Sequence, residues 1–270
     1  MSEVDKTFSG SIAQLYERYL VPLIFQPYAA DLRERISLLN VSRILEAAAG
    51  TGVVTRALAT LANNQLSIVA TDLNQAMLDE AAAACTARTV RWQQADAMAL
   101  PFHDGEFDAV VCQFGAMFFP EKAKAFSEAH RVLKPGGVFV FNVWDRISEN
   151  EFADTVTTAL EAVFPADPPR FLVRTPHGYH DRSAIERDLA AGGFGKSPRI
   201  DTVAARSRAE SARIPAMAYC QGTPLRSEIE ARDRSRLGEA TDIAAAAIAD
   251  KFGTDSVDGK IQAHVITIEK

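Results

Sequence analysis

Two acids and a pair of closely spaced glycines carry most of the chemistry that this sequence offers. Ile44-Leu45-Glu46-Ala47-Ala48-Ala49-Gly50-Thr51-Gly52-Val53-Val54-Thr55 runs from an apolar stretch through Gly50 and Gly52 into a helix-period segment marked by Val54, Leu58 and Leu61. That order reads as strand, tight turn, helix. Without a Cβ, Gly50 and Gly52 can take positive φ and let a ligand approach the main chain. The unpaired N–H groups of the helix start open onto the same space. The pattern suits a nucleoside or a carboxylate-bearing ligand. A Gly-x-Gly is also an ordinary structural turn, so the next acid matters. Leu66–Thr71 is apolar and β-rich and ends at Asp72, twenty residues beyond Gly52. A carboxylate at the end of a second parallel strand, at this spacing, accepts hydrogen bonds from ribose hydroxyls. Asp72 could also cap a helix starting near Asn74, and the two roles can hold together, the upstream loop favouring the ribose role.

These residues need a scaffold of alternating elements. Strands are expected near 42–47, 66–72, 89–94, 107–112 and 137–144, with helices near 53–63, 75–84 and 121–133. Such alternation means βαβ units and a parallel sheet covered on both faces. Right-handed crossovers bring the strand C-termini to one edge, where open α/β sheets bind ligands. Lys134-Pro135-Gly136-Gly137 reads as a type II turn feeding the strand Val138–Val143. Residues 8–39 look helical, broken by Pro22 and Pro27. Beyond 150 the alternation loosens into loop markers at 164–169 and 175–178. Ser183-Ala184-Ile185-Glu186 reads as a capping box, with Gly192-Gly193 ending its helix. Arg199–Ala205 suits a strand, residues 208–258 are helix-prone, and Ile261–Ile268 alternates like a strand with one exposed face.

At 270 residues, 47% apolar and 24% charged, the chain describes one globular domain with an appendage. A net charge of −6 argues against nucleic acid or an anionic membrane as partner. No apolar run approaches the ~18 residues of a membrane span. The polar start Met1–Asp5 does not read as a signal peptide. Cys85, Cys112 and Cys220 form no C-x-x-C pair and suit reduced, buried thiols in a cytoplasmic setting. No metal is expected.

Five segments, in order, resemble the class I S-adenosylmethionine (SAM)-dependent methyltransferases, in particular the small-molecule branch like the ubiquinone/menaquinone-biosynthesis enzymes. They are Ile44–Gly52; Ala70–Asn74 with Met77-Leu78; Ala95-Asp96-Ala97 with Leu100-Pro101-Phe102; Phe107–Phe114; and Arg131–Gly137. The family loop usually carries three glycines, and Ala48 stands in place of the first. The resemblance implies a Rossmann-like, doubly wound α/β fold, a mostly parallel seven-stranded sheet with a last antiparallel strand, and helical lid elements. It implies SAM as cofactor and divides the chain into a lid (1–40), a SAM-binding core (41–207), a helical insertion (208–259) and a final strand (260–270). It further implies that Ala48, Gly50 and Gly52 pass the methionine and ribose parts, with Met77 close by. Glu46 either reaches the cofactor's amino group or simply holds the turn. Asp72 takes the ribose, Leu73 packs on adenine, Asp96 and the Ala97 N–H meet the adenine edge, and Gln113 faces the methionine end.

Methyl transfer from a sulfonium mainly needs donor and acceptor held collinear and dry. An acceptor hydroxyl or acidic carbon also needs a base, for which His177, Tyr179 and His180 are the candidates; His103 and His130 read as structural. A small-molecule methyl acceptor is the expected partner, met by Tyr16, Tyr19, Phe114 and Tyr219, with a homodimer left open. Rival readings are a non-catalytic SAM-binding module and a nicotinamide oxidoreductase. The latter wants a third glycine where Thr55 stands.

Overall fold

The computed structural model describes residues 11–63, 65–84 and 86–270. The chain's start at Met1–Asp5, the first residues of the expected helix and Cys85 lie outside them. Seven strands form one sheet: β1 Arg43–Ala47, β2 Ser67–Asp72, β3 Val90–Gln94, β4 Phe107–Gln113, β5 Leu133–Trp144, β6 Arg199–Ala209 and β7 Val257–Glu269. Their order is β3-β2-β1-β4-β5-β7-β6, six parallel and the last in sequence antiparallel.

Two compact units divide the chain. The first to consider comprises Gln26–Val143, Tyr179–Thr202 and His264–Lys270. Here β1 pairs in parallel with β2 and with β4, β2 with β3, and β4 with β5. The connections β1 to β2 and β4 to β5 use the helices Val53–Ala59 and Lys122–Val132. Ile44, Leu45, Ala109, Val111, Val140 and Phe141 are wholly or almost wholly out of water, each large one stabilising by about 1.5–3 kcal/mol. Because the chain moves from β1 toward β2 on one side and resumes at β4 on the other, the strand order reverses between β1 and β4. A ligand crevice forms at the carboxyl ends of such a pair.

The other unit comprises the described part of Met1–Phe25, with Trp144–Gly178 and Val203–Ala263. Pro22 does not break its helix. Tyr16–Phe25 instead forms a wider turn with π-type bonding that includes Pro22 and buries Leu20, Val21, Leu23, Ile24 and Phe25; that burial outweighs the lost N–H bond. Pro27 sits in the first turn of the next helix, Gln26–Ser37, where N–H groups are unpaired anyway. The helices Glu151–Val163, Arg213–Gln221, Leu225–Asp233 and Leu237–Phe252 complete this unit.

Several sequence expectations change. Lys134–Gly137 belongs to β5: Gly136 keeps its positive φ of 76°, and the register shifts between Phe107 and Ala109 to absorb the extra residues, a bulge. The helix Arg182–Ala191 is capped by Asp181, whose carboxylate accepts from Ser183 N, so Ser183 is not the cap. β7 is buried on both faces from Ala263 to Ile266, because it lies inside the sheet order.

Candidate functional site

Glu46 lies in the buried run of β1 at 1% exposure. Its Oε2 accepts from the Thr55 hydroxyl, and its carbonyl accepts from Thr71 Oγ1 at 3.0 Å. Burial pushes the carboxyl up to about 8, against the opposing pull of Thr55 and Arg56. After β1 the backbone turns left-handed at Ala48 (φ 55°), Gly50 (φ 55°) and Gly52 (φ 83°). Glycine takes these values freely; for alanine the cost is about 1–2 kcal/mol. A Cβ on Gly52 would lie 2.9 Å from the Trp92 ring and 3.1 Å from Ala81, so this glycine lets the loop pack on its own scaffold as well as turn.

The loop is pinned to β2. Ala49 N donates to Thr71 O at 2.8 Å and Gly50 N to Asp72 Oδ2 at 2.9 Å. Asp72 Oδ1 accepts from Asn74 N at 2.8 Å. The capping role expected of Asp72 is thus a turn two residues long, and the same carboxylate holds the glycine loop. Burial raises its pKa, opposed by the Asn74 and Gly50 N–H groups. The Thr51 hydroxyl is buried with no hydrogen-bond partner, an unused polar group in the middle of the loop.

Next to buried Asp72, Leu73 is 47% exposed, an apolar surface at a strand end. Met77 is buried. Ala95 N donates to Asp72 O at 3.0 Å, tying the turn after β3 to β2, and Asp96 Oδ1 accepts from Met98 N at 2.9 Å. Ala97 is half-buried, as is Gln113, the last residue of β4. Phe114 follows with φ 49°, its N–H donating to Asn142 Oδ1 at 2.8 Å and its ring edge-on to Tyr28. Burial drives the Cys112 thiol, on the same strand, up to about 12. The structure therefore gathers Glu46, Ala48, Gly50, Gly52, Asp72, Leu73, Asp96, Ala97, Gln113 and Phe114 on elements at the carboxyl edge of one unit.

The base candidates divide. His177 is buried, its ring 5.9 Å from that of Trp144, with Nδ1 2.8 Å from the carbonyl of Asp145. A carbonyl only accepts, so Nδ1 carries the hydrogen in that contact. Tyr179 and His180 belong to the other unit. The Tyr179 hydroxyl donates to Asp188 Oδ2 at 2.6 Å, and Lys122 Nζ lies 4.6 Å from its ring centre. Burial first, then Asp188, hold that phenol far above its ordinary range, which argues against it as a base. His180 is half-buried. Tyr16 stacks on Phe25 at 5.0 Å, Arg18 lies over Tyr19, and Tyr219 is buried, all in the unit that contains His177. Among the described residues no group of three His, Cys, Asp or Glu could hold a metal ion.

Residues 45–141 match the model of a methyltransferase domain. The demethylmenaquinone methyltransferase of Thermus thermophilus is 32% identical over 184 residues, 62% of this chain and 83% of that protein. The chain belongs to the class I SAM-dependent methyltransferases. SAM is the cofactor of that family. An uncharacterized protein of Mycobacterium tuberculosis is 38% identical over 104 residues, 38% of this chain but only 37% of the relative's length. Among solved structures, an N-methyltransferase of Haemonchus contortus, solved with phosphomonomethylethanolamine and S-adenosylhomocysteine, superposes with a TM-score of 0.58. It is 18% identical, covers 99% of this chain and 59% of its own, and shows the fold alone. No described helix is long and apolar enough to cross a membrane.

Sequence spacing located the glycine loop and Asp72 but missed Thr51, Thr55 and Asn142. Asn142 had a signal: it is the one polar residue interrupting the apolar run Val138–Val143.

Proposed function

We propose that this chain moves a methyl group from SAM to a small organic acceptor. The observation that carries it is the pairing of Asp72 with the glycine loop beside exposed Leu73, a carboxylate and an apolar face set for an adenosyl group. The residues fit the cofactor in three ways. Asp72 keeps acceptor capacity beyond its two backbone bonds, Thr51 offers an unpartnered hydroxyl, and Glu46 can meet a cationic amino group. When bound, SAM supplies an electrophilic methyl carbon whose bond to sulfur breaks toward the sulfur as the acceptor's electron pair attacks. The chain's part is to hold and orient. Asp72 takes the ribose hydroxyls, and Asp96 and the Ala97 N–H take the adenine edge. Gln113 and Phe114 stand at the methionine end. Ionised by release of its proton to solvent, Glu46 would hold the cofactor's amino group, because a neighbouring cation favours the carboxylate.

Where the acceptor must lose a proton, His177 is the proposed base, its ring orientation set by the Nδ1–H bond to the Asp145 carbonyl. Phe114, Tyr16, Tyr19 and Tyr219 are each proposed as acceptor contacts, since aromatic side chains favour a flat or apolar molecule. Thr55 donates to Glu46 at the place where a dinucleotide fingerprint has its third glycine, which disfavours the nicotinamide rival. Titration calorimetry with SAM and S-adenosylhomocysteine tests binding, and release of S-adenosylhomocysteine over a panel of small acceptors tests transfer. A protein that ignores both cofactor forms at millimolar concentration sinks the proposal.

A further inference from the structure

Ala48 and Phe114 are the two non-glycine residues with positive φ among the described residues. They stand just beyond the carboxyl ends of β1 and β4, which pair directly. Side chains rarely hold such backbone values unless their surroundings impose them, and these outliers gather at functional sites. They also lean on each other. A Cβ on Gly115 would lie 2.5 Å from the Ala48 methyl and 2.7 Å from Cys112 Sγ. The bare Cα of Gly115 is therefore the space into which the Ala48 methyl packs, and the methyl points at the turn after β4.

What imposes the conformation at Phe114 is visible. Asn142, wholly buried on β5 opposite Gln113, accepts the Phe114 N–H on Oδ1 at 2.8 Å, and the backbone carbonyl of Asn142 shares that N–H at 3.2 Å. The direction of the amide is forced, since an N–H can only donate. Nδ2 then faces the other way, buried with no partner. A stranded buried donor is destabilising. Leucine would fill a similar volume without one, so the amide is explained by the acceptor task of Oδ1.

We infer that Asn142 is a positioning residue for the cofactor loop, acting through Phe114, Gly115 and Ala48. Its amide fixes the left-handed turn at Phe114, that turn sets Gly115 under the Ala48 methyl, and the contact holds the loop from Ala48 to Gly52 in the conformation that receives SAM. The inference rests on the proposed SAM site. It adds Asn142 on β5 to the residues proposed to shape that site.

The test uses the full chain with Asn142→Leu, Asn142→Asp and the double variant Asn142→Leu with Ala48→Gly. Binding of S-adenosylhomocysteine is read by calorimetry, and exchange at the Phe114 and Gly50 amides by hydrogen–deuterium exchange. Asn142→Leu should fold, because the backbone carbonyl still takes the Phe114 N–H. It should raise the dissociation constant about tenfold and speed exchange at both amides by a similar factor. Aspartate keeps an acceptor oxygen and should return both readouts to within about threefold of the parent. Glycine at 48 needs neither the imposed φ nor the Gly115 space, so the double variant should recover most of the binding. Asn142→Leu with parental affinity and parental Gly50 exchange overturns the inference, as does an Asn142→Asp variant as impaired as the leucine one. If the parent chain binds no S-adenosylhomocysteine, the functional proposal fails, while Gly50 exchange in the variants still decides the coupling.

Discussion

The two edges of the sheet use carboxylates in opposite ways. At the amino edge, Asp108 near the start of β4 accepts from Ser42 N at 3.0 Å, Ser42 Oγ at 2.9 Å and Arg43 N at 2.8 Å, and from Lys134 Nζ at 2.5 Å. Partial burial works against ionisation there, but Lys134 and the Ser42 and Arg43 donors outweigh it and hold the acid at about 2. At the carboxyl edge, burial dominates: Glu46 sits at about 8 and Asp72 is raised. The amino edge is satisfied by the protein itself. The carboxyl edge holds acids whose charge the protein leaves poorly compensated, which is a liability for folding and a resource for a cationic ligand.

The contrast breaks first at Asp108. Asp108→Ala removes a charged acceptor from four donors and should cost about 2–3 kcal/mol of stability, read by denaturant unfolding, while cofactor affinity of the folded protein stays within about twofold. A comparable loss of affinity would mean that the edges are not separate.

Glu46→Gln sharpens the other side. An acid with a raised folded pKa contributes stability that is fully present below its unfolded value and lost as pH rises through the folded one. The parent should therefore lose stability relative to Glu46→Gln between the ordinary glutamate value of 4.5 and about 8, by roughly 5 kcal/mol in all. If melts of the two proteins run parallel across that range, Glu46 is not the buried acid described. Cofactor binding should also release a proton, visible when calorimetry is repeated in buffers of different ionisation enthalpy.

Asp72→Asn should weaken SAM binding by about 1.4 kcal/mol or more, tenfold, with a smaller loss of stability, since the amide retains one acceptor for the Gly50 or Asn74 N–H. Unchanged affinity would remove Asp72 from the site. The smallest effect is expected from Ala48→Gly. Relief of about 1–2 kcal/mol of left-handed strain is offset by about 0.5–1 kcal/mol of glycine chain entropy. The net is a stabilisation of roughly 0.5 kcal/mol, measured as a small rise in Tm. A loss above 1 kcal/mol would show that the methyl packing on Gly115 outweighs the strain.

Legibility in the sequence follows the range of the interactions. β1 to β4 begin and end within a residue or so of their expected bounds, because each is a short apolar run punctuated by turn residues. The glycine loop and Asp72 were readable for the same reason. The helix Glu151–Val163 was not anticipated, although Phe152, Val156, Ala159, Leu160 and Val163 carry its buried face; the proline-rich loop that follows masks the period. Tyr16–Phe25 kept its helical path through Pro22 because burial in the folded chain, which no local propensity encodes, outweighs the proline penalty. The left-handed values at Ala48 and Phe114 depend on contacts with residues on other elements, Gly115 in the turn after β4 and Asn142 on β5, and neither residue type announces them. The role of Tyr179 likewise turned on a partner, Asp188, that only the fold supplies.

Cys112 shows what the burial of the carboxyl edge implies for the protein's own safety. If the proposed SAM site is right, an alkylating ligand would be held at the strand ends that include β4, and sulfur anions are the best soft nucleophiles a chain contains. Burial, with Glu46 and Asp72 adding to it, pushes the thiol up to about 12, so the anion is scarce at neutral pH. The same dry, acid-lined strand end that would suit a positive ligand keeps the thiol protonated.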